Sequence, residues 1–264
     1  MGLLHSPTIT TDGLVLMYDP ANFRSYQRQN DSSMINLINP LKHEGFFFDH
    51  AVDSNNSVAT TSNFQDHFGG TLKFNESLAG APLTRNTQMI DTGFDDSNRA
   101  KEFTIGCWFY PHHSSRSDLD AGFSYASGPF HKERHFQINW SHSQATFRNA
   151  VGLNDSDGTW HGVNYYPDSD MPGNQWYYVS ATYAGTKLRV YLNGDYVDSA
   201  TTSGGVGKHP TPVTAKLGRH ALDAGGNSAR GWRGEISNTH YYNRALTDIE
   251  VLNNYNALKS RFGL

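Results

Sequence analysis

Carboxylates, histidines and aromatic rings are the groups in this 264-residue chain that could do chemistry, and their spacing narrows what that chemistry is. The six glutamates are Glu44, Glu76, Glu102, Glu133, Glu235 and Glu250, and no two lie within four residues of each other. Glycoside hydrolysis needs two carboxylates flanking the scissile bond, about 5–5.5 Å apart for retention, and no glutamate pair can supply them from one strand. Aspartate pairs do occur, at Asp118/Asp120, Asp155/Asp157 and Asp168/Asp170. Each sits in a turn-rich context, where aspartate serves turn geometry, so no catalytic residue is assigned. The same spaced oxygens suit Ca²⁺, which takes six to eight of them. Asn154, Asp155 and Asp157, with Gly158 following, are the candidate ligands. Calcium is therefore an optional ligand, and no cofactor is required.

Thirteen histidines invite a zinc reading, with His112-His113 and His131/His135 the best pairs. No cysteine cluster or catalytic glutamate joins them, and positions 131 and 135 lie too far apart on a strand to share a metal; scattered surface histidines are the expectation. The single cysteine, Cys107, rules out an intrachain disulfide framework and reads as a buried thiol in a strand. Sugar binding needs flat apolar faces fringed by polar groups. Trp108 and Tyr110, on one face of a strand, and Trp140, Trp160, Tyr165 and Tyr166, in a polar stretch with aromatic islands, are the candidate platforms.

The elements that must hold these groups are strands. Charged residues are only 17% of the chain, while there are 25 glycines and 13% aromatics, a composition that suits strands and turns. The clearest alternation is Phe103 to Tyr110: Phe103, Ile105, Cys107 and Phe109 on one face, Thr104, Gly106, Trp108 and Tyr110 on the other. Gly13 to Tyr18, Gly69 to Phe74 and Trp176 to Tyr183 read as further strands, and Phe46-Phe47-Phe48 as a buried patch. Lys187 to Leu192 leads into Asn193-Gly194, the strongest short hairpin signal, because both residues tolerate positive φ. Residues 111–175 read as short strands joined by sizeable loops.

The chain ends in a strand that feeds a capped helix. Thr247 and Glu250 form a capping box, Leu246 and Val251 a hydrophobic staple, and Leu252, Tyr255 and Leu258 recur at helical spacing. Net charge −4 provides no footprint for nucleic acid. No run of about 18 apolar residues points to membrane insertion, and Met1 to Pro7 lacks the features of a signal peptide.

These blocks resemble a known family. Gln175 to Val179 with Leu188 to Gly194, Leu217-Gly218-Arg219, Trp232 to Ile236 and Tyr242 to Thr247 resemble the hairpin, inner strand and closing segment of concanavalin A-like, laminin-G-like jelly-roll lectins. Thr11 to Leu16 with Asp19, Asn22, Ser25 and Tyr26 resembles the opening of lectin-like virion proteins of tailed bacteriophages, and Tyr255 to Leu264 resembles their tail. The resemblance implies an all-β, two-sheet antiparallel jelly-roll sandwich with a short C-terminal helix. It divides the chain into an N-terminal arm, residues 1–12, and one jelly-roll domain, residues 13–264.

For function, the resemblance implies a non-enzymatic structural or adhesive virion protein (capsid decoration, head fibre or tail component). It would be made in the host cytoplasm and contact other virion proteins or copies of itself. Host or environmental glycans are the implied ligands, and a free-standing lectin module or a polysaccharide hydrolase or lyase the alternatives. The Glu-x-Asp-x-Glu strand that serves the family's hydrolases is absent.

Overall fold

The computed structural model describes residues 7–26, 33–49, 64–65, 70–74, 88–95, 101–112, 127–132, 135–143, 146–154, 159–165, 172–206, 213–218, 232 and 234–264. Among them are sixteen strands: β1 Leu14–Tyr18, β2 Ser33–Met34, β3 Gly45–Asp49, β4 Phe64–Gln65, β5 Thr71–Phe74, β6 Gln88–Asp91, β7 Glu102–Pro111, β8 Ser127–Lys132, β9 Phe136–Ser143, β10 Thr146–Asn154, β11 Trp160–Tyr165, β12 Tyr177–Ala184, β13 Lys187–Leu192, β14 Asp195–Thr201, β15 Lys216–Leu217 and β16 Gly234–Tyr242. One helix, α1 Asp248–Leu258, follows and runs into a 3-10 turn, Lys259–Phe262.

The strands form two antiparallel sheets of eight. The helix-bearing sheet runs β14-β13-β12-β7-β16-β5-β4, with β1 also paired to β16. The second sheet runs β11-β10-β9-β8-β15-β6-β3-β2. Their facing sides enclose the main core, where Phe103, Ile105, Cys107 and Phe109 of β7 meet Phe47, Ile90, Phe130, Ile138 and Val163 of the second sheet. This is the two-layer solution expected when each sheet must bury one apolar face. Burial pushes the Cys107 thiol up to about 12, so it stays protonated. Residues 127–165 hold more strand than the sequence suggests: β8 to β11 form a meander with each strand paired to the next.

The Asn193-Gly194 turn forms as expected, with φ of 51° and 87°, the positive pair that a two-residue hairpin requires. The helix start also matches: Thr247 accepts from the Glu250 backbone N–H, and the Glu250 carboxylate accepts from the Thr247 backbone N–H at 2.9 Å. The Arg244 guanidinium, bonded to Glu250 at 2.6 and 3.0 Å, holds that carboxyl down to about 2. The helix's buried stripe differs from expectation. Val251 and Asn254 are buried, whereas Leu252 is 39% exposed. A polar residue takes the central position because Asn254 joins two segments: its Oδ1 accepts from the Thr10 N–H at 2.8 Å, and its Nδ2 donates to Tyr242 Oη at 3.0 Å.

Under α1 lies a second core on the outer face of the helix-bearing sheet, made by Leu14, Trp108, Trp176, Tyr178, Tyr191, Tyr242, Leu246, Val251 and Phe262. A bulge in β16 sets its composition. Ile236 pairs with Phe109 but Thr239 with Cys107, so β16 carries one extra residue over β7. The extra residue reverses the alternation: Tyr241 enters the main core, while His240 and Tyr242 turn toward the helix.

His240 fits because Gly106 lies opposite it; a Cβ at Gly106 would sit 2.0 Å from His240 Nε2. The imidazole is held by Tyr178 Oη at 3.0 Å on Nε2 and by Asn238 Oδ1 at 3.0 Å on Nδ1. Burial lowers the His240 pKa to about 3, below its ordinary value of 6.5. The folded protein therefore refuses a proton that the unfolded chain accepts, and its stability is full above that ordinary value and lost as pH falls toward the folded one. Between pH 6 and pH 4 His240 should remove about 2–3 kcal/mol of unfolding free energy. Urea unfolding across that range should show a steeper acid loss for the native chain than for His240→Gln. Equal slopes would refute the assignment.

Candidate functional site

Eight residues line up across the whole second sheet. Ser33 pairs with Phe46, Phe46 with Asp91, Asp91 with Lys216, Lys216 with His131, His131 with Gln137, Gln137 with Gly152 and Gly152 with Gly162. The adjoining positions Phe47, Ile90, Leu217, Phe130, Ile138 and Val163 lie in the main core. Alternation along each strand therefore puts this row on the outer face.

The row is exposed at its ends and covered in its middle. Phe46 and Trp160 are each 42% exposed, whereas Lys216 and His131 are buried. At the β11 end the Trp160 indole lies flat on Gly162. A Cβ there would come within 2.9 Å of both Cζ2 and Nε1 of the ring, so glycine provides the bed for a ring that stays partly exposed. In the middle, Lys216 Nζ donates to Asp91 and to the Thr214 hydroxyl, which itself donates to Asp91. Burial raises the Asp91 carboxyl, but the Lys216 ammonium and these hydrogen bonds outweigh it and hold the group below the usual carboxylate range. Asn139 Nδ2 donates to Gln137 Oε1 at 2.6 Å and fixes that amide beside the row.

Of the platform residues whose side chains are described, Trp160 is the one placed on an open face. Trp108 corrects the expectation. It is fully buried, stacked on Phe262 at 4.4 Å and on Tyr255 at 5.5 Å, because the helix covers the face that alternation assigned to it. Tyr110 is half-buried on the same sheet, against Trp176 and His112, and so belongs to the opposite side of the sandwich from Trp160. The backbones of Trp140 and Tyr165 flank Asn149 in one cross-strand row; their side chains and all of Tyr166 lie outside the described residues.

Asn154 ends β10, opposite Trp160. Its side chain, Asp155, Asp157 and the other two aspartate pairs also lie outside the described residues. Among the described residues no group of three or more His, Cys, Asp or Glu could hold a metal. The surface-histidine expectation fails for His131, His135 and His240, which are buried. His135 packs edge-on against Phe103 at 5.1 Å in the main core, where an imidazole serves as an aromatic filler. The sequence reading missed Phe46, Asp91, Lys216 and Gln137. For Phe46 the signal was available, since three consecutive phenylalanines on a strand cannot all face one core.

A second polar group sits on the helix-bearing sheet. Glu235, buried in β16, takes hydrogen bonds from Thr71 Oγ1 at 2.5 Å and from His112 Nε2 at 3.0 Å. A hydroxyl and an imidazole on one carboxylate anchor β5 and β7 to β16; they are not the carboxylate pair of a glycosidase.

The profile of the concanavalin A-like lectin/glucanases superfamily matches residues 84–252, well over half of the chain. The chain belongs to this superfamily. No curated protein matches it in sequence. Concanavalin A-like neighbours among solved structures share the fold at low identity. Domain 4 of AbnA, an extracellular arabinanase from Geobacillus stearothermophilus, solved in complex with arabinotriose, has a TM-score of 0.56 and 15% identity, covering 92% of this chain and 98% of that one. The binding domain of botulinum neurotoxin DC in complex with SialylT gives 0.59 and 11%, covering 94% and 51%. The binding domain of Paraclostridial Mosquitocidal Protein 1 gives 0.60 and 16%, covering 93% and 52%. The chain thus spans about half the length of the toxin binding domains it matches. Among the described residues no helix is long and apolar enough to cross a membrane.

Proposed function

We propose that this concanavalin A-like chain is a non-enzymatic glycan-binding module whose ligand rests on the outer face of the second sheet. The observation that carries the reading is Trp160: an indole bedded on Gly162, 42% exposed, at one end of a row of polar groups. That is the pairing of flat apolar surface with a few fixed hydrogen-bonding groups that small-ligand recognition uses. Structural neighbours solved with arabinotriose and with SialylT support the ligand class. The lack of a Glu-x-Asp-x-Glu strand supports a binding role over hydrolysis.

The test is a glycan array, run with and without Ca²⁺, followed by titration of the best ligand against the native chain and Trp160→Ala. Loss of the platform should weaken binding about tenfold or more, roughly 1.4 kcal/mol, with the urea midpoint unchanged because the ring lies outside both cores. An unaltered affinity would remove Trp160 from the site, and a blank array would remove the reading.

The finer reading is that the module works on a tailed-phage virion, as a head decoration, head fibre or tail component made in the host cytoplasm and contacting other virion proteins or its own copies. What supports it is the opening and tail segments that resemble such proteins, which bond to each other through Asp19 and Arg261 at 2.8 Å. Mass spectrometry of purified virions should find the protein at structural copy number; its absence would leave a free-standing lectin.

A further inference from the structure

Asparagine followed by glycine is chemically labile, because glycine lets its own amide nitrogen approach the preceding side chain without steric hindrance. Asn193-Gly194 is the one such pair in the chain, and the fold holds it where that approach is blocked. β12 and β14 flank β13 on opposite sides. Asn193 Oδ1 accepts from the Tyr178 N–H at 2.9 Å, and the Asn193 N–H donates to the Tyr178 carbonyl at 2.8 Å. The side-chain amide is thus drawn toward β12, while the backbone runs through Gly194 toward β14. Gly194 is itself buried beneath α1: a Cβ there would lie 3.0 Å from Leu252 Cδ1 and 3.1 Å from Tyr255 Cβ. Before the Gly194 nitrogen can meet Asn193 Cγ, the amide must leave Tyr178 and the turn must move against the helix.

From these contacts we propose that Asn193 is a self-modification site that the terminal helix keeps closed: opening of the helix seam exposes it to irreversible deamidation. The Gly194 nitrogen forms a bond to Asn193 Cγ, the Cγ–Nδ2 bond breaks, and Nδ2 leaves as ammonia with the proton from Gly194. Water then opens the cyclic imide at either carbonyl and leaves aspartate or isoaspartate. Both products place a new carboxylate beside Asp195, where like charges repel. Isoaspartate also routes the backbone through Cβ, and the added atom does not fit the two-residue turn on which Leu252 and Tyr255 rest. The reaction therefore records an opening of the helix and hinders its closing again.

The experiment incubates the folded native chain, the urea-unfolded native chain, Trp108→Ala and Leu252→Ala in mildly alkaline buffer. Mass spectrometry of the peptide carrying Asn193 follows the exchange of ammonia for water. The folded native chain should convert at least tenfold more slowly than the unfolded chain, because reaction waits on a rare local opening. Trp108→Ala, with its loosened helix, should convert at least threefold faster than the native chain. Leu252 is partly exposed and belongs to neither core, so Leu252→Ala uncovers Gly194 and keeps the fold. It should show the same acceleration, and it decides the matter if Trp108→Ala does not fold. Equal rates in the folded and unfolded native chain, or a folded Leu252→Ala that converts no faster than the native chain, would overturn the proposal.

Discussion

Trp108→Ala should lower the unfolding free energy by about 3–5 kcal/mol, the range for removing a large aromatic from a packed interior. The ring has no exposure and makes three close aromatic contacts: Phe262 at 4.4 Å, Tyr178 at 5.2 Å and Tyr255 at 5.5 Å. Two of these partners come from the C-terminal helix and turn, and the third from β12. The substitution therefore empties the seam between sheet and helix. A short helix draws most of its stability from packing rather than propensity, so α1 should loosen first. Hydrogen exchange of the amides of Val251 to Leu258 should accelerate before those of β7. A variant that stays within about 1 kcal/mol of the native chain would show that the helix does not depend on this seam.

Arg261→Ala should cost a comparable amount, about 3–5 kcal/mol, because it strands a buried carboxylate. Both amino groups of Arg261 are engaged. Nη1 donates to both Asp19 oxygens at 2.8 and 3.0 Å, and Nη2 donates to the Gly70 carbonyl at 2.9 Å and to Ser237 Oγ at 2.8 Å. The side chains of Arg261 and Asp19 are only 17% and 10% exposed. One guanidinium thus joins the opening loop, the approach to β5 and the bulge of β16. Removing both charges should hurt less than removing one, because replacing a buried pair by apolar groups is often close to neutral. Asp19→Asn with Arg261→Met, compared with each single variant by urea unfolding, should lose less stability than either single loss implies, far less than their sum. Additive losses would mean that the pair does not act as a unit.

How much of this was legible depended on the range of the signal. The β7 alternation, the Asn193-Gly194 turn and the Thr247 cap are local patterns, and each appears where the sequence puts it. The β16 bulge is not local. Nothing in Ile236 to Thr239 announces an extra residue, and yet it decides which of Tyr241 and Tyr242 enters the main core and which turns toward the helix. Trp108 was misassigned because alternation tells which face a side chain takes but not what covers that face. The candidate site was the least legible part: Ser33, Phe46, Asp91, His131 and Lys216 are scattered over most of the chain, and only sheet register brings them into line. Asp19, Asn22, Ser25 and Tyr26, noticed through a resemblance, prove to be structural. The Asp19 N–H donates to Ser25 Oγ, the Ser25 N–H to the Asn22 carbonyl, and Asp19 receives Arg261.

The Thr10–Asn254–Tyr242 triangle fastens the segment before β1 and the terminal helix to the same outer face of the helix-bearing sheet. The segment before β1 and the terminal helix therefore pack on one side of the sandwich, and the exposed Trp160 stands on the other, so a ligand at Trp160 leaves the helix seam untouched.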